Sequence, residues 1–198
     1  MGILIVPFML KNQNLLWTAG LDWTEDSIWL ACRVFMGYLL NDFVCLVVPL
    51  FQYATLDDML YAGHHLCLLA TWSSFRIDDW GHLFAVPTML TELTAPFINL
   101  RVFLNHFSLD STTVFKVNGL CAILSWYYLR QWVYCTILSI RIWELRDIIF
   151  FGEHVLRNAF VLVCFLFGVA LQCFWCFLIT KGAISVVTGG GKKKKKDE

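Results

Sequence analysis

Outside its C-terminal tail, the sequence lacks the clusters of basic residues by which nucleic-acid-binding proteins are recognised. Its 198 residues include 15 Lys and Arg against 15 Asp and Glu, and outside the C-terminal tail the basic residues are scattered. Lys192 to Lys196 supply five of the positive charges, so the rest of the chain is mildly acidic. We therefore expect no nucleic-acid partner.

Disulfide and zinc frameworks are also missing from the sequence. The eight cysteines lie mostly within apolar runs instead of at loop positions. Cys173 and Cys176 have the spacing of a redox or zinc motif, but no second Cys or His pair lies nearby in their Phe-, Trp- and Leu-rich surroundings. We interpret all eight as small apolar side chains and expect no metal and no cofactor.

The N-terminal segment has no basic leader or cleavage site, so it does not resemble a signal peptide. Met1 to Leu10 is apolar, but it has about half of the roughly 20 residues that a membrane span needs. We expect it to be the end of a helix whose beginning is missing from this chain. No Asn-x-Ser/Thr sequon is present to mark a glycosylated side of the membrane.

Apolar residues dominate the composition and place the chain in a bilayer. Hydrophobic residues make up 59% of the chain and aromatic residues 16%, with a mean hydropathy of +0.65. A soluble fold of this length could not bury so much apolar surface. The sequence therefore predicts an all-α, polytopic membrane protein.

About five full transmembrane helices are predicted, in addition to the truncated N-terminal one. The predicted spans are Ile28 to Phe51, Met59 to Phe75, Trp80 to Leu100, Val114 to Ile140, and Asn158 to Ile179. The second is short for a span, and the fifth is the most uniformly apolar, so we expect it to face lipid more than the others. The predicted organisation is residues 1–27 as a partial helix and loop, 28–185 as the membrane domain and 186–198 as a basic tail.

Polar stretches connect these spans. They are an acidic turn around Asp57 and Asp58, the stretch Arg76 to Asp79, the connection Arg101 to Thr113, and Arg141 to Arg157, which we interpret as a loop plus an interfacial helix. Pro87 and Pro96 interrupt the third span, and such prolines are tolerated where neighbouring helices or a cavity satisfy the freed carbonyls.

The lysine tail indicates both an orientation and an address. Five consecutive lysines favour the cytosolic side of the membrane, although Arg141, Arg146 and Arg157 then fall on the opposite side. Lys195 and Lys196 lie four and three places from the end, which resembles the dilysine signal that returns membrane proteins to the endoplasmic reticulum. The alternative is a solvated tail that touches anionic headgroups.

Ionisable and amide side chains at membrane depth mark the candidate functional cluster, because they are costly there. Its members are His64, His65, Asp42, Glu92, Asn99 and Arg130. Adjacent residues are separated by about 100° on a helix, so one histidine can face a ligand while the other packs or bonds to a neighbouring helix. A carboxylate from Asp42 or Glu92 could orient the imidazole as nucleophile or base. A purely structural hydrogen-bond network is an equally good interpretation.

Arg130 is the most expensive of these groups to bury. It either pairs with Asp42 or Glu92, or it binds an anionic lipid group, and pairing is the expected state without a ligand. Asn118 and Gln172 are most simply explained as interhelical hydrogen-bonding residues.

The order of these motifs resembles the TLC domain shared by TRAM, LAG1 and CLN8 proteins. The resemblance is carried by Gly37-Tyr38-Leu39-Leu40-Asn41-Asp42, His64-His65, the run Glu92 to Arg101, Asn118-Gly119 and Arg130. Ile179-Thr180-Lys181-Gly182 resembles the end of the last helix in the TLC domain-containing protein 4 branch. The resemblance covers roughly residues 28 to 185.

The resemblance implies a helical domain of the endoplasmic-reticulum membrane with a central polar cavity, associated with lipid metabolism, trafficking or sensing. Its ceramide synthase members transfer an acyl group from acyl-CoA to a sphingoid amine with their paired histidines. Carried over, His64 or His65 would attack the thioester or activate the amine, Asp42 or Glu92 would orient it, and Arg130 would balance charge. The residues after His65 match those enzymes only in part, at Arg76-Ile77 and Asp78-Asp79.

We therefore expect a multi-pass protein of the endoplasmic reticulum, with a cytosolic C-terminus, that binds or handles membrane lipid and contributes to lipid homeostasis. The first alternative is an N-acyltransferase with acyl-CoA as co-substrate, using His64, His65 and Asp42. In the lipid-handling interpretation, Glu92, Asn99, Arg130 and Asn118 bind lipid or hold the helices together. The second alternative is a trafficking accessory. Lys195 and Lys196 could engage the coat-protein retrieval machinery.

Overall fold

The computed structural model describes residues 14–21, 23, 26–53, 55–78 and 81–187. Every regular element in these ranges is helical, and none of them forms a strand. The predicted all-α class is therefore confirmed. The segment from Met1 to Leu10 and the lysine tail, on which two of the sequence interpretations rest, lie outside the described residues.

Nine α-helices, one 3₁₀ turn and one π-helical segment follow each other along the described chain. They are α1 (Leu15–Thr18), α2 (Asp26–Tyr53), α3 (Leu56–Asp78), α4 (His82–Thr91), a 3₁₀ turn (Glu92–Thr94), α5 (Ala95–His106), α6 (Thr113–Ser125), the π segment (Trp126–Ile137), α7 (Leu138–Glu144), α8 (Arg146–Phe151) and α9 (Val155–Val187).

Within the described ranges, three helical stretches are long and apolar enough to cross a membrane, namely Ile28–Cys45, His82–His106 and Val155–Ser185. They coincide with the first, third and fifth predicted spans. The second and fourth predicted spans also lie within continuous helix, in α3 and in the run from α6 to α7. Only 22% of the Val155–Ser185 stretch is buried, against 28% and 50% for the other two, so α9 faces outward most, as predicted.

Helix α3 begins earlier than the sequence predicted. The backbone N–H and the hydroxyl of Thr55 donate to Asp58 Oδ2 at 3.1 and 2.6 Å, and the Asp58 N–H donates to Thr55 Oγ1 at 3.2 Å. This reciprocal pairing is a capping box, so the predicted acidic turn is the first turn of the helix. The 23 residues of α3 extend about 34 Å, but α3 is not among the described stretches that are long and apolar enough to cross a membrane, in line with the expectation that its apolar run is short.

The third predicted span is divided into α4, the 3₁₀ turn and α5. Pro96 near the start of α5 has no N–H, and the Ala95 N–H bonds to Glu92 O, which tightens the backbone there. The Thr94 hydroxyl donates to Thr91 O at 2.8 Å and satisfies that carbonyl. The turn therefore holds Glu92 and Thr94 at a break in the helix.

Of the last two predicted connections, one differs from the structure and one agrees with it. Helix α5 continues to His106, so the Arg101 to Thr113 connection is a short turn in which Ser108 has a positive φ of 56°. The last connection contains the end of α7 and the short helix α8, in line with the predicted loop and helix.

The π segment was not predicted from the sequence. It continues α6 without a break, and the Thr136 hydroxyl donates to Gln131 O, five residues back, at 2.9 Å. Long π-helices are rare, and shorter π-bulges occur often at functional sites. Here the π segment buries Trp126, Arg130 and Tyr134 on its inner side.

The core lies around α4, whose ten residues are all buried. Phe35 and Leu39 of α2, Leu83 and Met89 of α4, and Leu138 of α7 pack there with almost no exposure. This central helix places the 3₁₀ turn, with Glu92 and Thr94, beside the π segment.

Candidate functional site

A cavity of about 630 Å³ lies between α2, α3, the 3₁₀ turn, α5, the π segment and α9. All six members of the candidate cluster line it, namely Asp42, His64, His65, Glu92, Asn99 and Arg130. The remaining lining residues are Tyr38, Leu39, Asp58, Tyr61, Leu68, Ala95, Ile98, Trp126, Trp175, Leu178 and Ile179. Polar groups and aliphatic side chains therefore line the same cavity, as expected of a site that binds an amphiphilic ligand.

His65 is held at both ring nitrogens. Its Nε2 lies 2.8 Å from Asp42 Oδ2, and its Nδ1 lies 3.0 Å from the carbonyl oxygen of Tyr61. The carbonyl oxygen can only accept, and an ionised carboxylate can only accept, so the pair must carry a second proton. Either His65 is an imidazolium beside an Asp42 carboxylate, or Asp42 is protonated beside a neutral ring, and both arrangements leave the pair with no net charge.

His64 has a different environment. Its ring makes edge contacts with His65 and Trp175, at centroid distances of 5.8 and 5.7 Å, and no ring-nitrogen hydrogen bond to a described residue is found. It is 8% exposed and lines the cavity. His65 therefore bonds to the neighbouring helix α2 through Asp42, whereas the ring nitrogens of His64 are available to a ligand.

His64 also borders a second, much smaller chamber of about 30 Å³. Thr71, Tyr134 and Cys164 line it with His64, and the buried Thr71 hydroxyl has no partner among the described residues. A chamber of this size and polarity suits one or two waters. His64 therefore separates the large cavity from a space that water can occupy.

Arg130 contacts four neighbours on three elements, the 3₁₀ turn, α9 and the π segment itself. Its Nε donates to Thr94 Oγ1 at 2.9 Å, and its Nη1 donates to Gln172 Oε1 at 3.1 Å. Its Nη2 lies 3.7 Å from Glu92 Oε1, which is an ion pair but is too long for a hydrogen bond. The guanidinium also stacks 4.3 Å from the ring of Trp126. Of the two predicted partners, Glu92 pairs with Arg130, while Asp42 pairs with His65.

Asn118 is the predicted residue that does not line the cavity. Its Nδ2 donates to the carbonyl of Phe97 at 2.8 Å and ties α6 to α5. At the next residue, Gly119, an added Cβ would lie only 2.9 Å from the guanidinium of Arg101. Asn118 therefore has a structural contact, and Gly119 allows the two helices to approach.

Several lining residues were missed in the sequence. Tyr61 lies one turn before His65, with its ring 4.4 Å from the imidazole, and its hydroxyl is 3.4 Å from Asp42 Oδ2. Trp126 precedes Arg130 by the same spacing. The signal available in the sequence was an aromatic residue four places before His65 and another four places before Arg130.

Metal binding is not supported by the described part of the chain. No group of three His, Cys, Asp or Glu residues there could hold a metal ion. The cysteines are all free thiols, and Cys173 of the CxxC pair contacts Gln131 Oε1 at 3.9 Å.

Comparisons with known proteins agree with the motif order. The family model described as the TLC domain matches residues 1–181. TLC domain-containing protein 4-B of Danio rerio is 25% identical over 186 residues, which cover 87% of this chain and 67% of that protein. TLC domain-containing protein 4 A of Dictyostelium discoideum is 27% identical over 108 residues.

That second match covers 52% of this chain and 38% of the Dictyostelium protein, so the chain aligns with well under half of that relative. No solved structure matches the chain. The family match nevertheless extends over nearly all of it, and its apolar helices agree with the membrane setting of the family. The chain is a membrane protein that belongs to the TLC domain family.

Proposed function

We propose that this protein binds a membrane lipid in the 630 Å³ cavity, resides in the endoplasmic reticulum with its C-terminus in the cytosol, and contributes to membrane lipid homeostasis. The observation that carries the proposal is the mixed lining of the cavity. Leu39, Ile98 and Leu178 offer apolar surface, and the two neutralised ion pairs offer polar contacts beside it. Burying charged groups costs free energy, and a site that receives a lipid head accounts for that cost.

A substitution that fills the cavity tests this proposal. Ala95 lines the cavity at the start of α5, so Ala95→Phe is expected to reduce the lipid that co-purifies with the protein in neutral detergent, measured by native mass spectrometry. Ala170→Phe adds the same volume on an exposed position of α9 and is the matched control. Equal lipid retention by both variants would contradict binding in the cavity.

Acyl transfer is the second candidate, and the environment of His64 favours it. Its ring has no hydrogen bond to a described residue and faces the cavity, whereas both nitrogens of His65 are engaged. In this reaction a His64 nitrogen attacks the acyl-CoA thioester, CoA thiolate leaves, and the amine of the acceptor then displaces the imidazole to form an amide. A covalent acyl adduct that disappears in His64→Ala but persists in His106→Ala would establish it.

The proposed location rests on the tail. If Lys195 and Lys196 are read by coat proteins of the retrieval pathway, Lys195→Ser/Lys196→Ser should move the protein to later compartments, as seen by microscopy in cells. Lys192→Ser/Lys193→Ser removes the same charge and should stay in the endoplasmic reticulum. If both double variants behave alike, the lysines act only through their charge.

A further inference from the structure

One carboxylate that lines the cavity has no lysine or arginine in the lining to balance it. This is Asp58, in the first turn of α3, and Thr55 hydrogen bonds hold the pKa of its carboxyl below its ordinary value. Elsewhere in the lining, the His65–Asp42 pair has no net charge in either protonation arrangement, and Arg130 is balanced by Glu92. The described lining therefore has a formal charge of −1, located at Asp58.

Two aromatic residues, Tyr61 and Trp175, line the same cavity as this carboxylate. Tyr61 follows Asp58 by three residues, so the two share one face of α3, and the Tyr61 ring lies 6.4 Å from that of Trp175 at an angle of 64°. Aromatic rings together with a carboxylate are the surroundings that favour an ammonium group. A headgroup with only negative charge would be repelled by the same carboxylate.

Hydrogen-bond donors remain for an anionic or ester oxygen elsewhere in the lining. Arg130 is more than nine-tenths buried, and its Nη2 has no hydrogen-bond acceptor within reach among the described residues. Tyr38 and Asn99 also line the cavity, and neither side chain makes a hydrogen bond to another described residue. Because Glu92 balances Arg130, this region suits an oxygen that already belongs to a zwitterion better than a free anion.

We propose that the cavity selects the headgroup of a zwitterionic phospholipid, with the ammonium beside Asp58, Tyr61 and Trp175 and the phosphate beside Arg130, Tyr38 and Asn99. This inference rests on the proposed lipid-binding function and specifies its ligand class. It assigns Asp58 and Tyr61, which the sequence motifs did not mark, to headgroup recognition.

The test compares lipids with the same acyl chains and different heads. The full chain in neutral detergent is equilibrated with equimolar palmitoyl-oleoyl phosphatidylcholine and phosphatidylglycerol, and the retained lipids are counted by native mass spectrometry. We expect phosphatidylcholine to be enriched at least about five-fold, as one unit charge near a protein surface allows. A cationic lipid without phosphate, dioleoyl-trimethylammonium-propane, should be retained less than dioleoyl phosphatidylcholine.

Variants separate the two parts of the head. Asp58→Asn and Tyr61→Leu should reduce the preference for phosphatidylcholine over phosphatidylglycerol, and Tyr38→Phe should reduce retention of phosphatidylcholine relative to the phosphate-free lipid. Asp147→Asn is the control, because the Asp147 side chain is a 76% exposed carboxylate on α8 and does not line the cavity. Asp147→Asn should change neither the ratio of retained phosphatidylcholine to phosphatidylglycerol nor the ratio of phosphatidylcholine to the phosphate-free lipid.

The outcomes distinguish the two proposals. Lipid retained without a headgroup preference, or with phosphatidylglycerol preferred, would overturn the zwitterion inference and leave lipid binding intact. Stronger retention of the phosphate-free cation would overturn the phosphate half of the inference. Failure to retain any of the lipids would overturn the proposed function and this inference together.

Discussion

Arg130 and Arg141 are both 8% exposed, and both pair with a glutamate, yet they differ in what surrounds them. Arg141 pairs with Glu144, one turn away on α7, and its Nη2 donates to the backbone carbonyl of Ala19 at 2.7 Å. Arg130 pairs across helices and borders the 630 Å³ cavity. Arg141 therefore ties the backbone at Ala19 to α7, whereas Arg130 lines a cavity.

The partners of the two arginines predict different costs when the charge is lost. The Glu144 side chain is 49% exposed and can return to solvent, whereas the Glu92 side chain is 15% exposed and cannot. Removing one partner of a buried pair is more damaging than removing one partner of an exposed pair. Substituting each arginine in turn therefore tests whether the two ion pairs differ in this way.

The largest effect is expected for Arg130→Met. It leaves the Glu92 carboxylate buried without its cation, and we expect the free energy of unfolding to fall by about 3 kcal/mol. Lipid retention should also be lost. Unfolding in detergent followed by circular dichroism, together with native mass spectrometry, measures the two effects.

Stability and binding are then separated by Arg130→Met/Glu92→Gln. The second substitution removes the orphaned charge, so most of the lost stability should return while lipid retention remains low. If retention recovers together with stability, Arg130 is structural in the same sense as Arg141, and the distinction between the two regions fails.

A smaller effect is expected for Arg141→Met. The substitution removes the bond to Ala19 O, and we expect about 2 kcal/mol of lost stability, which is within the range for a hydrogen bond to a charged group. Lipid retained per mole of folded protein should not change. A specific loss of lipid at unchanged stability would show that the α7 region also contributes to the site.

The smallest effect concerns the wall of the 30 Å³ chamber, which Gly168 and Tyr134 line. A Cβ at Gly168 would lie 2.4 Å from the hydroxyl of the buried Tyr134, so Gly168→Ala should cost about 1.5 kcal/mol through overpacking. Gly182→Ala is the control on the same helix, because nothing lies within 4 Å of its Cβ position. Equal melting temperatures of the two variants would show that the wall yields easily.

Much of the helical framework could be predicted, because apolar runs mark helices that must bury their backbone groups in a bilayer. The residues at which the helices begin and end were less predictable. Thr55 and Asp58 form a capping box that a hydropathy pattern does not register, so α3 was predicted too short. Arg101 was assigned to a connection because of its charge, yet it lies within α5 and stacks on Phe115 at 4.2 Å.

The candidate cluster was also found from the sequence, since His64, His65 and Arg130 are costly at membrane depth. The sequence did not predict which carboxylate pairs with His65 and which with Arg130. Asp42 and Glu92 were equivalent partners for His65 and Arg130 until the helix positions assigned one carboxylate to each. The π segment was not predicted because the sequence was read for the 3.6-residue period of an α-helix. The hydrogen bonds of a π-helix join residues five apart and do not follow that period.

Photo-crosslinking tests the central claim, a lipid held in the cavity, most directly. A phosphatidylcholine analogue with a diazirine on its acyl chain is activated in membranes that contain the full chain, and the labelled residues are mapped by peptide mass spectrometry. We predict labels at the cavity residues Leu68, Ile98 and Leu178, which unlabelled phosphatidylcholine displaces. Labels confined to exposed α9 residues such as Val163 and Leu166, without displacement, would contradict the account.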